Sequence, residues 1–202
     1  MKKRYRTHFL LSRIFPSLLF FGLFLLSVTS LPAQTTQLSM PDSASAWVGE
    51  WEGTLEIWKG PVKLQAIPAY LKIVPSDTTH SLLWTTRFGE RKEKTIEKPY
   101  ELKIMDPVQG LYLLDEHNSI QLESYWVKDK LLSWYEVSGN LILASYEMRG
   151  TDQILFEIIA GKTEPVSVTG GATVGEEEIP EVRTFPISVI QRALFKRIDT
   201  HD

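Results

Sequence analysis

The 202-residue sequence contains no cysteine. That absence excludes a disulfide framework, a thiolate metal site and a thiol nucleophile. It also excludes a lipid-anchored precursor of the bacterial type, which needs a cysteine at its cleavage site. Histidine is scarce, at four residues. No His-Glu-x-x-His, Gly-x-Ser-x-Gly or phosphate-cradling loop occurs, and Gly170-Gly171 lacks the lysine and following helix that a phosphate site needs. Helical periodicity is nowhere sustained, apart from a short stretch over 188–197 that we read as a strand. Beyond Val28 no run is apolar enough to span a bilayer.

What is present begins with the three parts of an export signal. Lys2, Lys3, Arg4, Arg6 and Arg13 make a basic start with no acid before residue 34. An apolar run of about 15 residues follows, Ile14 to Val28, against the roughly 20 that a spanning helix needs. Ser30, Pro32 and Ala33 supply the small and turn-prone residues of a cleavage region. Residues 1–33 are therefore expected to be a cleavable signal peptide, and the mature protein to be secreted or periplasmic with no membrane span. Five of the 22 Lys and Arg lie in this segment, leaving 17 against 25 Asp and Glu, a formal charge of −8. So acidic a chain is a poor match for nucleic acid, whose binding rests on neutralising phosphates.

Residues 34–46 are polar and read as a linker. From Trp47 the sequence turns to short runs rich in Leu, Ile, Val, Tyr and Trp, broken by turn residues every eight to twelve positions. That rhythm is the mark of antiparallel strands. Ten are expected: Glu50–Lys59, Val62–Val74, Ser81–Gly89, Lys94–Met105, Leu111–Glu116, Ile120–Val127, Leu131–Ser138, Leu141–Arg149, Gln153–Ala160 and Ile187–Phe195. The links at Lys59-Gly60-Pro61, Ser138-Gly139-Asn140 and Arg149-Gly150-Thr151-Asp152 are of hairpin length, so neighbours in sequence should be neighbours in the sheet. Residues 161–184, rich in Gly, Pro and Glu, are expected to form one long, mobile surface loop. An all-β, ten-stranded antiparallel up-and-down barrel follows if the last strand pairs with the first, because closure removes both exposed edges.

Gly49-Glu50-Trp51 opens the first of these strands. A Gly-x-Trp at that place resembles the start of calycin-like barrels, the group of lipocalins, fatty-acid-binding proteins and nitrobindin-like proteins. The resemblance implies that Trp51 closes one end of the barrel and packs under a basic side chain of the last strand, for which Arg192 and Arg197 are the candidates. The run Phe156-Glu157-Ile158-Ile159-Ala160-Gly161 also resembles secreted bacterial proteins of unknown function. Two features of the group are missing. A haem-binding histidine late in the barrel has no counterpart but the penultimate His201, and the Arg-x-Tyr carboxylate clamp is replaced by Leu194 and Asp199 after Arg192 and Arg197. No haem or other cofactor is therefore expected.

The remaining polar clusters read as surface. Asp115-Glu116-His117, followed by Asn118-Ser119, and the segment around His80 are polar turns rather than metal sites; Glu90–Lys94 is a charged hairpin tip. Glu136 and Glu147 form the only carboxylate pair considered for acid–base work, and solvated strand faces carry such residues without catalysis. No metal, catalytic residue or enzymatic activity is expected. Alternation points to Trp84, Trp126, Tyr135, Ser124 and Ser145 as inward-facing residues that could meet a ligand. Two functions stay open. One is binding of a small apolar or amphiphilic ligand in a cavity of several hundred Å³. The other is a structural or protein-interaction module of the cell envelope with a solidly packed barrel and a protein partner.

Overall fold

Period-two alternation of apolar and polar residues builds ten long strands, and the short links between them leave each strand only its sequence neighbours to pair with. The computed structural model describes residues 42–77, 80–90 and 95–198. The expected signal peptide, the first part of the linker, the hairpin tip at 91–94 and His201 lie outside the described residues. The strands are β1 (Gly49–Lys59), β2 (Val62–Pro75), β3 (Ser81–Phe88), β4 (Ile96–Asp106), β5 (Leu111–Asp115), β6 (Gln121–Val127), β7 (Lys130–Val137), β8 (Asn140–Arg149) and β9 (Gln153–Lys162). Four short strands follow, β10 (Ser167–Thr169), β11 (Thr173–Val174), β12 (Glu177–Glu178) and β13 (Val182–Thr184), and then the long β14 (Ile187–Arg197).

β1 to β9 and β14 form a closed antiparallel barrel, in the order β1-β14-β9-β8-β7-β6-β5-β4-β3-β2. Each expected strand is present with its ends moved by two residues or fewer. The tight turns sit where the sequence put them. Between β7 and β8, Ser138 and Gly139 both take positive φ, 50° and 70°, as a two-residue hairpin of the favoured twist requires. The fold is that of a calycin-like barrel.

Two expectations about the chain's irregular parts need correcting. Residues 161–184 are not a structureless loop. β9 runs on to Lys162, and beyond it β10 pairs with β13 and β11 with β12, so the segment is a jointed two-stranded arm. Its Gly and Pro residues, read as breakers of structure, serve as the turns within it. The linker likewise ends sooner than expected. Asp42–Ser45 form one helical turn, α1, with Ala44 fully buried, and Trp47 N donates to the Ala44 carbonyl at 3.1 Å.

Closure of the barrel explains the Gly-x-Trp opening. Trp51 pairs with Arg197 across β1 and β14, and the Arg197 guanidinium carbon lies 4.0 Å from the centre of the Trp51 ring. Arg197 also donates from Nη1 to the Val48 carbonyl at 2.8 Å and from Nη2 to the Ala46 carbonyl at 2.6 Å. A side chain at position 49 would collide with this guanidinium, since a Cβ built there comes 2.5 Å from Nη1. Glycine at 49 therefore makes room for the cation that covers the tryptophan, and the φ of 148° at this residue suits glycine as well.

Candidate functional site

The barrel has two ends of different character. The end carrying α1, here called the floor, is packed solid. Trp47 drops from α1 into it and is 1% exposed, with ring centres 4.8 Å from Trp126 and 5.6 Å from Trp84. Tyr112, Phe195, Ile73, Leu82 and Leu102 fill the space around these rings, all essentially without exposure. Several polar atoms of the floor find partners. Trp51 Nε1 donates to the Trp47 carbonyl at 3.1 Å, Trp126 Nε1 to the Lys128 carbonyl at 3.0 Å, and the hydroxyls of Ser124 and Ser133 share a hydrogen bond of 2.7 Å.

Above this floor the inward positions become smaller. Thr86 on β3, Ser133 on β7 and Ala144 on β8 face an enclosed space of about 160 Å³ that opens toward the other end, the mouth. Its walls are Phe88, Leu114, Leu122, Leu131, Phe156 and Ile158, with three phenols, Tyr100, Tyr135 and Tyr146, set among them. Lys98, Glu116 and Gln191 are the ionisable and amide groups of the lining.

Electrostatically the space favours neutral groups. Burial pushes the Tyr146 phenol up to about 12, and raises Tyr100 and Tyr135 above the ordinary tyrosine value. For Tyr100 the phenol of Tyr146 adds to the effect, and for both Tyr100 and Tyr135 the Glu116 carboxylate does so. All three phenols therefore remain protonated at physiological pH and offer O–H donors to the cavity.

Two buried polar atoms are not matched, one in the cavity lining and one in the floor below it. Trp84 Nε1 and Thr86 Oγ1 are buried and make no hydrogen bond to a described protein group. Trp84 packs edge-on against Tyr146, with ring centres 4.9 Å apart. The Tyr146 hydroxyl lies beside both atoms, and their hydrogen-bonding influence lowers its pKa against the burial that raises it, although neither contact reaches full hydrogen-bond geometry. A buried polar group left unmatched costs roughly 1–3 kcal/mol, so this is where the barrel's own packing is least satisfied.

The structure separates the residues that the sequence grouped as interior. Tyr135 lines the cavity. Trp84, Trp126 and Ser124 face inward but belong to the packed floor, because Trp47 occupies the space beside the two indoles and Ser133 bonds Ser124. Ser145 faces outward: its neighbours Ala144 and Tyr146 line the cavity, and its hydroxyl donates to the Glu157 carbonyl at 3.5 Å on the outer wall. Among the closing residues, Gly49, Trp51 and Arg197 meet. Arg192 does not, since an interval of five along a strand reverses the face, and it lies 3.8 Å from Glu157 outside. The cavity, at about 160 Å³, is smaller than the several hundred Å³ expected, again because of the Trp47 plug.

Thr86, Ser133 and Tyr100 are not picked out by the sequence, and Tyr146 stands there only as one of many aromatic residues able to line an interior. Counting two residues on from Trp84, and two back from Tyr135, would have found the first two. Asp115 faces the exterior, held by Lys103 Nζ at 2.8 Å and Gln121 Nε2 at 3.1 Å, while its Oδ1 accepts from His117 N in the turn. Glu147 is paired with Lys130 and Arg149, at the opposite end of the β7–β8 ladder from Glu136. Among the described residues no group of three or more His, Asp or Glu is placed to hold a metal ion.

No family model and no curated protein matches the sequence. Solved structures do match. A protein of unknown function of the DUF3598 family from Nostoc punctiforme superposes with a TM-score of 0.52 at 14% identity, over 79% of this chain and 50% of its own. This chain thus spans half the length of that protein. The S-type phycobiliprotein lyase CPES of Guillardia theta gives a TM-score of 0.52 at 10% identity, over 78% of this chain and 91% of its own. Rv2717c of M. tuberculosis gives 0.45 at 12% identity, over 79% and 99%.

Proposed function

We propose that this protein is an exported, non-catalytic binding barrel that holds one small apolar or amphiphilic ligand in the upper half of its interior. The observation that carries the reading is the cavity of about 160 Å³ between the tryptophan floor and the mouth. Its walls are mostly apolar with a few convergent hydroxyls, the usual make-up of a small-molecule site. An engineered apolar cavity of roughly 150 Å³ holds benzene, so the buried part of the ligand is the size of a single ring. The basic and apolar N-terminal stretch supports export. The likeness to a phycobiliprotein lyase is one of fold at 10% identity and brings no chemistry with it.

Native mass spectrometry of the protein purified from its own producing cells tests the proposal. The expected result is a reproducible extra mass that disappears on denaturation. A bare chain, together with tryptophan fluorescence that ring-sized apolar probes leave unchanged, would overturn it.

A second reading has one observation in its favour. On the outer wall Trp134 is 71% exposed, beside an apolar groove of about 400 Å³ lined by Leu141, Leu143, Phe185 and Ile187 at the root of the arm. A protein partner seated there would make the chain an envelope interaction module. Under the first reading Trp134→Glu leaves the extra mass in place; under the second it abolishes co-purification of the partner and there is no extra mass to lose.

A further inference from the structure

The base of the cavity says more about the ligand than its size does. An indole N–H can only donate, and Trp84 Nε1, buried in the floor below the cavity, has only the Tyr146 hydroxyl beside it and makes no hydrogen bond of full geometry. Beside it the Thr86 hydroxyl, on a residue 3% exposed and facing the cavity, is unbonded as well. The phenols of Tyr100, Tyr135 and Tyr146 line the same space. The inner surface is thus rich in donors, while Lys98 and Glu116 are its charged groups, one of each sign.

A ligand that relieves such a site brings an acceptor to its base. It must also be neutral. A carboxylate or other anion placed beside Thr86 would be desolvated with only the solvent-exposed Lys98, opposite Thr86 across β3 and β4, to balance it, and an ammonium would exchange its water for hydroxyls and the single carboxylate of Glu116. An all-hydrocarbon ring would fill the volume but leave the Thr86 hydroxyl as it is. These constraints leave an uncharged ring-sized molecule bearing a carbonyl-type oxygen.

We propose, resting on the binding reading above, that the ligand is a neutral one-ring compound whose carbonyl-type oxygen lies at the base of the cavity and accepts hydrogen bonds from Thr86 Oγ1 and its neighbour Tyr146. The ring lies between Phe156 and the aliphatic wall, and any longer substituent leaves through the mouth. Binding then gives the buried Thr86 hydroxyl a partner that the protein's own groups do not supply. The selectivity comes from those hydroxyls: an analogue lacking the oxygen binds with its share of the desolvation uncompensated.

The test uses three probes of nearly the same shape: acetophenone, ethylbenzene and benzoate. Each is titrated into 15N-labelled full chain while the indole N–H signals are followed, that of Trp84 being assigned through Trp84→Phe. The expected result is that acetophenone binds about tenfold or more tightly than ethylbenzene, that benzoate binds weakest, and that acetophenone shifts the Trp84 signal most, through the Tyr146 side chain packed on it. That tenfold figure corresponds to about 1.4 kcal/mol of hydrogen bonding.

Thr86→Val keeps the shape and removes the hydroxyl. It should narrow the preference to within about threefold by weakening acetophenone alone, and Tyr146→Phe should narrow it in the same direction. Ethylbenzene binding as tightly as acetophenone, or benzoate binding best, would overturn the acceptor proposal while leaving the binding reading in place. If none of the three binds, both fall. Because Thr86→Val removes an unmatched buried hydroxyl, the empty variant should fold at least as stably as the parent, and a melting curve checks this.

Discussion

The floor and the upper half of this barrel are built from the same strands, yet one is packed solid and the other holds a cavity. The difference lies in what each inward position carries. At the floor the inward side chains are Trp51, Trp84, Trp126, Tyr112 and Phe195, and Trp47 enters from α1 to fill what remains. Higher up, β3, β7 and β8 carry Thr86, Ser133 and Ala144. The floor's indoles 51 and 126 have partners and Ser124 bonds Ser133 at the boundary, whereas Thr86 and the Trp84 indole below it are unmatched. A sheet gives both halves the same backbone, so side-chain volume alone decides which half is core and which is site.

The largest expected effect breaks the floor. Trp47→Ala removes a fully buried indole that touches two others, and should cost about 3–5 kcal/mol in urea unfolding. Next comes the closure. Arg197→Leu loses the stacking on Trp51 and two hydrogen bonds to carbonyls of residues 46 and 48, and should cost about 2 kcal/mol. Arg197→Lys, without the planar fork, should recover less than half of that. A smaller effect sharpens the comparison. Ser124→Ala should cost about 1–2 kcal/mol by stranding the buried Ser133 hydroxyl, Ser133→Ala should cost less because Ser124 Oγ keeps the Leu122 carbonyl at 3.4 Å, and the double variant should be closer to the parent than Ser124→Ala.

The smallest effects are read in pH. In the upper half the folded-state phenols of Tyr100, Tyr135 and Tyr146 lie above the ordinary tyrosine value, chiefly through burial. A phenol raised on folding stabilises the fold below its unfolded pKa, near 10, and that contribution is lost as pH rises above it. Urea midpoints should therefore fall between pH 10 and 12, and Tyr146→Phe should flatten the fall.

At the acid side the outward Asp115 behaves in the opposite sense. The Lys103 ammonium, then the backbone N–H of His117 and the Gln121 amide, hold it well below the ordinary carboxylate range. Its contribution is present above about pH 4 and is lost as pH falls below that. Asp115→Asn should lower the midpoint at pH 7, and by steadily less as pH falls below about 4.

How far the sequence revealed these two halves depends on the strand. In β6 and β9 one face is apolar and the other mixed, so Ser124, Trp126 and Phe156 could be placed inside by parity. β8 offers no such signal. Leu141, Ile142, Leu143 and Ala144 are apolar on both faces, because Leu141 and Leu143 meet Trp134 and Phe185 on the outer wall. With both faces apolar, Ser145 was placed inside one residue out of register.

The plug and the arm escaped for another reason. Trp47 stands outside any strand, and only closure of the barrel brings it against Trp126. Residues 163–186 have the composition of a loop, and their short strands are paired with each other rather than with the barrel. Closure itself was legible, because a final apolar run after a long excursion had an unpaired first strand to meet.

That closure has a kinetic side. The bonds from Arg197 to the carbonyls of Val48 and Ala46 join residues 149 and 151 positions apart, and Ile198 N donates to the Glu50 carbonyl at 2.8 Å. Contacts of such sequence separation form late and slow folding, toward the milliseconds-to-seconds range of sheet proteins. A chain that grows or crosses a membrane N-terminus first therefore carries β1 with one edge open until its last eleven-residue strand has emerged. The barrel cannot shut early.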